Sequence, residues 1–70
     1  MLRDQLIKKG LTSRETEVVE LIAKKLTRAQ VGNHLFVTKK TIDFHLKNIF
    51  KKLNVTSEKK LIELAGGFYI

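Results

Sequence analysis

Residues 27–53, TRAQVGNHLFVTKKTIDFHLKNIFKKL, read as two helices joined by a short turn, and the second helix is divided by charge. An α-helix turns about 100° per residue, which puts Ile42, Leu46, Ile49 and Leu53 on one stripe. Lys40, Asp43, Phe44, Lys47 and Lys51 fall on the opposite side. The apolar stripe has to face a core, so the opposite side faces solvent or a partner. It carries lysine at nearly every turn, and it is read here as the face that meets DNA.

The start signals around this stretch are specific. Thr27-Arg28-Ala29-Gln30 is a capping box, in which a threonine hydroxyl and a side chain three residues on satisfy each other's backbone amides. Thr38 caps the next helix, which runs over about 39–53 and ends at Leu53-Asn54, where Asn suits the left-handed position after a helix. Lys39 and Lys40 in its first turn oppose the helix dipole, and a phosphate docked there would reverse that effect. The apolar turn Leu35-Phe36-Val37 is expected to tuck inward. Gly32 inside a helix costs about 1 kcal/mol relative to Ala, so a tight crossing by another helix is expected there.

Working outward, Thr12-Ser13-Arg14-Glu15 forms another capping box. It opens a helix whose Val18, Ile22 and Leu26 recur every four residues, with Val19 and Ala23 beside them. Leu21 lies off the centre of that face and is expected to be half-buried. The break to the following helix is expected at Leu26–Thr27. Residues 1–9 read as a short leading helix with Leu2, Leu6 and Ile7 on one side and Gly10 after its end. Ser57 or Thr56 caps a last helix from Glu58 to about Ala65, stopped by Gly66-Gly67. The tail Phe68-Tyr69-Ile70 is apolar, and either folds back on the core or belongs to a further contact. No segment alternates convincingly enough for a strand. The pattern is all-α: a single domain with its core over 11–65, a leading segment at 1–10 and a tail at 66–70.

Composition narrows the function. A chain of 70 residues buries only about 60% of its unfolded surface, so the core is thin. There is no Cys, which removes disulfides and thiolate metal sites, and two His without a carboxylate at ligand spacing make a weak metal site. No apolar run approaches the roughly 18 residues of a membrane span, and the N-terminus is charged where a secretory signal is apolar. A cytoplasmic protein without cofactor, metal, membrane contact or small-molecule ligand is expected. The net charge is +7 with a pI near 10.0. It is concentrated in residues 27–52, whose six bases and one acid give +5. That suits a polyanion footprint, against the plainer alternative of a solvated face on a small basic domain. No nucleophile has a base at helical spacing and no Gly-rich loop could cradle a phosphate, so an enzyme is not expected.

Four blocks in order carry a resemblance. They are Leu11-Thr12-Ser13-Arg14-Glu15, Val18-Val19-Glu20-Leu21-Ile22-Ala23, Leu35-Phe36-Val37-Thr38-Lys39-Lys40-Thr41-Ile42, and His45-Leu46-Lys47-Asn48-Ile49-Phe50-Lys51-Lys52-Leu53-Asn54-Val55. Together they resemble the LuxR-type (GerE/FixJ-like) helix-turn-helix domain of bacterial transcription regulators, over Leu11 to Ala65. Region 4 of a sigma factor has a similar opening and turn, but the block from His45 to Val55 favours the LuxR type. The resemblance implies a four-helix bundle without a wing. Its third helix, about 39–53, enters the major groove of double-stranded DNA, and its fourth supplies a homodimer contact, here Leu61, Ile62 and Ala65. RNA polymerase is a further expected partner. The family's base-reading positions map to Asp43, Phe44 and Lys47, and its phosphate contacts to Thr38, Lys40, Thr41 and Lys51. Lys39 and Lys52 join the phosphate set by charge and position. The chain departs from the family pattern at Asp43 on the reading face, at Gln30 and Gly32 in place of Glu and Ala, at Asn54 for Gly, and at Glu58 for Arg. A relative's target sequence therefore does not carry over.

Each candidate has a plainer counterpart. Lys47 reaches guanine O6 and N7, or is a solvated lysine. Asp43 accepts from cytosine N4, or pairs with Lys39, Lys40 or Lys47 and holds them. Phe44 meets a thymine methyl, or packs on a neighbouring helix end. His45, at the flank of the stripe, reads as half-buried and structural, and His34 as structural or solvated. A module binding an acidic protein partner is the competing function, motivated by Asp43 and the apolar tail.

Overall fold

Hydroxyl side chains start the second to fifth helices of this protein and left-handed residues follow the first four. The computed structural model describes residues 2–67, with side chains over 3–66. Its elements are α1 (Leu2–Lys8), α2 (Ser13–Ala23), α3 (Arg28–Leu35), α4 (Lys39–Leu53) and α5 (Glu58–Gly67). Among the described residues there is no strand, and the bundle is all-helical. The leading segment forms a fifth helix beside the expected four.

Both capping boxes are present. The Thr12 hydroxyl accepts from the Glu15 amide at 3.1 Å while the Thr12 amide donates to the Glu15 carboxylate at 2.9 Å. Thr27 and Gln30 repeat the exchange at 3.1 and 2.8 Å. Thr38 accepts from the Thr41 amide and Ser57 from the Lys60 amide, each at 3.2 Å. A cap of this kind stabilises a helix by about 1 kcal/mol.

The ends follow one rule. Gly10, Lys25, Phe36 and Asn54 all have positive φ, at 95°, 69°, 61° and 55°. The next residue in each case, Leu11, Leu26, Val37 or Val55, returns its amide to the carbonyl five residues back. This is the Schellman motif, which satisfies carbonyls that a helix end would otherwise leave bare. Each returning residue is apolar and packs in or against the core, so the turn is held by burial as well as by hydrogen bonds. Gly10 and Asn54 are the expected residues. Lys25 and Phe36 are not, and they account for two corrections. The α2 helix stops at Ala23 instead of Leu26, because Leu26 has to leave the helix to reach the core. The turn residue Phe36 points outward, 95% exposed, since a left-handed residue between Leu35 and Val37 turns its side chain away from both.

The core combines Leu6, Leu11, Val18, Val19, Ile22, Val31, Ile42, Leu46, Ile49 and Leu61, each less than 5% exposed. The α2 helix packs against each of the other four, and α3 packs against α4. Leu21, expected half-buried, is buried; it lines a cleft shared with His34 and Leu35, so the end of α3 lies beside it. Among the described side chains of α1 only Leu6 enters the core. Ile7 is 46% exposed, having been carried about 100° round the helix by one residue. The side chain of Leu2 and the tail Phe68-Tyr69-Ile70 lie outside the described residues.

Gly32 marks a close approach, made by a turn instead of a crossing helix. A Cβ on Gly32 would stand 2.7 Å from the Val37 carbonyl oxygen and 3.3 Å from the Thr38 carbonyl carbon. The Val37 amide donates to the Gly32 carbonyl at 2.9 Å. The turn between α3 and α4 therefore lies directly on the α3 backbone, and this contact places the start of α4.

Candidate nucleic-acid interface

The 15 residues of α4 span about 22 Å at 1.5 Å per residue. Ile42, Leu46, Ile49 and Leu53 are buried as expected. On the opposite side Lys40, Lys47 and Lys51 are exposed, and Phe44 is 63% exposed. Among the described residues none of these three lysines pairs with a carboxylate. Phe44 meets the His45 ring edge-on, with centroids 6.1 Å apart. His45 is half-buried and His34 exposed. At the N-terminus of α4 the Thr38 and Thr41 hydroxyls lie 3.1 Å apart, beside Lys39 and Lys40.

Three of the expected site residues, Lys52, Asp43 and Lys39, are engaged in ion pairs inside the domain. Lys52 donates to Glu15 Oε1 at 2.6 Å, and Glu15 is only 4% exposed. Burial raises the Glu15 carboxyl pKa, but hydrogen bonds from Lys52 and the Thr12 amide outweigh it and hold the group below its ordinary value. Asp43 accepts from Arg28 at 2.7 Å and from Lys39 at 3.2 Å. The Arg28 bond, and then that from Lys39, lowers its pKa. Of the plainer alternatives for Asp43, pairing with Lys39 one turn back is the one present.

Arg28 was not legible as a site residue. It bonds Asp43 through Nη1 and Glu58 through Nε at 3.0 Å, and these carboxylates raise its pKa, Asp43 first. Its partners stand 15 and 30 residues away, beyond the reach of helical periodicity. The same holds for Glu15 and Lys52. Phe36 was visible as an aromatic in a turn, but nothing in the sequence marked it as left-handed.

The residues expected at a dimer contact divide. Leu61 and Ala65 are each 1% exposed and belong to the core, because α5 has to cover α2. Only Ile62 retains surface. A cleft of about 200 Å³ between α2 and α3 is smaller than the ~300 Å³ at which ligand pockets begin, and it shares no residue with α4. Among the described residues no group of side chains could hold a metal ion, and no helix is long and apolar enough to cross a membrane.

The family model for bacterial regulatory proteins of the luxR family (GerE) matches residues 9–65. The chain is 44% identical over 55 residues to the uncharacterized response regulatory protein YgeK of Escherichia coli, an overlap covering 79% of this chain and 37% of that protein. It is 45% identical over 47 residues to the transcriptional regulatory protein LiaR of Bacillus subtilis, with 67% of this chain and 22% of that protein covered. To the oxygen regulatory protein NreC of Staphylococcus carnosus it is 40% identical over 55 residues, which cover 79% of this chain and 25% of that protein. The chain thus spans between about a fifth and two fifths of these relatives' lengths. No solved structure gives a significant match.

Proposed function

The chain belongs to the luxR family of bacterial regulatory proteins, and on that premise we propose that it binds double-stranded DNA sequence-specifically and acts as a transcription regulator in the bacterial cytoplasm. The α4 helix enters the major groove, which at about 12 Å wide admits one helix. Phe44 and Lys47 read base edges. Thr38, Lys39, Lys40, Thr41 and Lys51 hold phosphates and fix the register. One observation carries this reading. Opposite a fully buried stripe, α4 presents Lys40, Lys47 and Lys51 without carboxylate partners among the described residues, with exposed Phe44 between them. A second copy on a neighbouring half-site would meet the first through α5 at Ile62, and RNA polymerase would be the downstream partner.

Selection of bound duplexes from a random pool, followed by fluorescence anisotropy, tests the proposal. Lys47→Ala should cost about 1–3 kcal/mol on the selected duplex and less on others. Binding that is absent, or indifferent both to sequence and to Lys47, would remove the assignment.

A second reading, a module for an acidic protein partner, is favoured by the 95% exposure of Phe36. Calorimetry without duplex binding, alongside capture of one acidic protein, would select it.

A further inference from the structure

Two of the departures from the family pattern are acids, Asp43 on α4 and Glu58 at the start of α5. One side chain holds both. The Arg28 guanidinium donates to Asp43 Oδ1 at 2.7 Å and to Glu58 Oε1 at 3.0 Å. Arg28 is the first residue of α3 and Glu58 the first of α5, so three helices meet at one rigid, planar fork of donors. The other oxygen of Asp43 accepts from Lys39 at 3.2 Å. Both oxygens therefore have partners within the domain, and two departures that look unrelated along the sequence are one local arrangement.

The position of this arrangement gives it a consequence for recognition. Asp43 immediately precedes Phe44, and Lys47 stands one helical turn beyond it on the same side. Whatever fixes Asp43 fixes the rotation of α4 about its own axis, and hence the direction in which Phe44 and Lys47 point. An arginine with carboxylates on two neighbouring helices resists such rotation in a way that a lysine, a point charge on a flexible stem, does not.

We propose that Arg28 and Asp43 are positioning residues for sequence recognition: the Arg28 bridge sets the angle at which α4 presents Phe44 and Lys47, and Asp43 reads no base. This rests on α4 being the DNA-facing helix.

The test uses a duplex selected by the unaltered chain and its set of single-base variants. Asp43→Asn and Arg28→Met should each reduce discrimination roughly tenfold, at several base pairs together, and the double substitution should add nothing further. Affinity of Asp43→Asn for an unrelated duplex should not fall, since a negative charge has been removed from the phosphate-facing side. Glu58→Gln, which leaves α4 unaltered, should produce the same profile more weakly, and Arg28→Lys should not restore discrimination. If Asp43→Asn relaxes one base pair that Arg28→Met leaves intact, Asp43 is a base reader and the proposal is overturned. Urea unfolding of the same double-substitution cycle, without DNA, should show coupling between Arg28 and Asp43; strict additivity there would also overturn it. Failure of the unaltered chain to bind any duplex would instead remove the functional reading, and the role in recognition with it, while leaving the measured coupling in place.

Discussion

The Lys52 ammonium lies 2.6 Å from the Glu15 carboxylate and so joins the last turn of α4 to the first turn of α2. Glu15 also accepts the Thr12 amide. One buried carboxylate therefore closes a helix cap and anchors the far end of α4.

The pKa of Glu15 in the folded protein is lowered from 4.5. A carboxyl lowered by folding contributes stability that is present above its unfolded value and lost as pH falls through its folded value. The urea midpoint should hold above about pH 5 and decline below about pH 4.5. Glu15→Gln should remove part of that decline; Asp43, lowered by Arg28 and Lys39, supplies more of it. A decline identical in the Glu15→Gln protein would show that the Lys52 pair contributes nothing.

Lys51 and Lys52 are neighbours with opposite expected behaviour. Lys52→Met leaves a buried carboxylate short of a donor and should cost about 2 kcal/mol of stability by urea unfolding. Lys51→Ala should change stability by less than about 0.5 kcal/mol. On DNA, Lys51→Ala should weaken all sequences alike and reduce the salt slope by about one.

Gly32→Ala sets two effects against each other. Alanine favours a helix interior by about 1 kcal/mol, but its Cβ would meet the Val37 carbonyl oxygen at 2.7 Å. That atom is backbone, so the turn has to move, at a cost of about 1–3 kcal/mol. We expect net destabilisation of about 1 kcal/mol, with weaker duplex binding because Thr38–Thr41 moves with the turn. A gain in stability would mean that the turn yields freely.

Lys25 and Phe36 hold left-handed conformations that cost a non-glycine residue about 1 kcal/mol or more. Lys25→Gly and Phe36→Asn should each raise the urea midpoint by an amount corresponding to about 1 kcal/mol. Lys25→Gly should leave duplex affinity unchanged, since Lys25 lies in the turn after α2.

The parts of this fold that were legible in the sequence are those set by residues within about four positions of one another. The Thr12 and Thr27 capping boxes, the Ile42–Leu46–Ile49–Leu53 stripe and the left-handed Asn54 are all of this kind. The end of α2 was misplaced because Lys25 carries no left-handed preference; burial of Leu26 imposes it. Phe36 was expected inside because an apolar residue in a turn usually finds cover, and here the Schellman geometry denies it. The candidate face was read from helical periodicity, charge and the family resemblance, and Lys40, Lys47 and Lys51 stand exposed on it. Charge did not distinguish them from Lys52, whose partner Glu15 comes from α2, and did not show that Asp43 is held by Arg28 of α3 as well as by Lys39. Arg28, which links three helices, has no local signature at all.

The four Schellman turns leave loops of only three or four residues between helices, and most helix contacts join elements adjacent in the chain. Helical domains with such local contacts fold in microseconds to milliseconds. The sequence has no proline, so no prolyl isomerisation of tens of seconds delays the last step. The apolar stripe of α4 is therefore exposed only briefly each time the chain opens, and a thin core is offset by a short search.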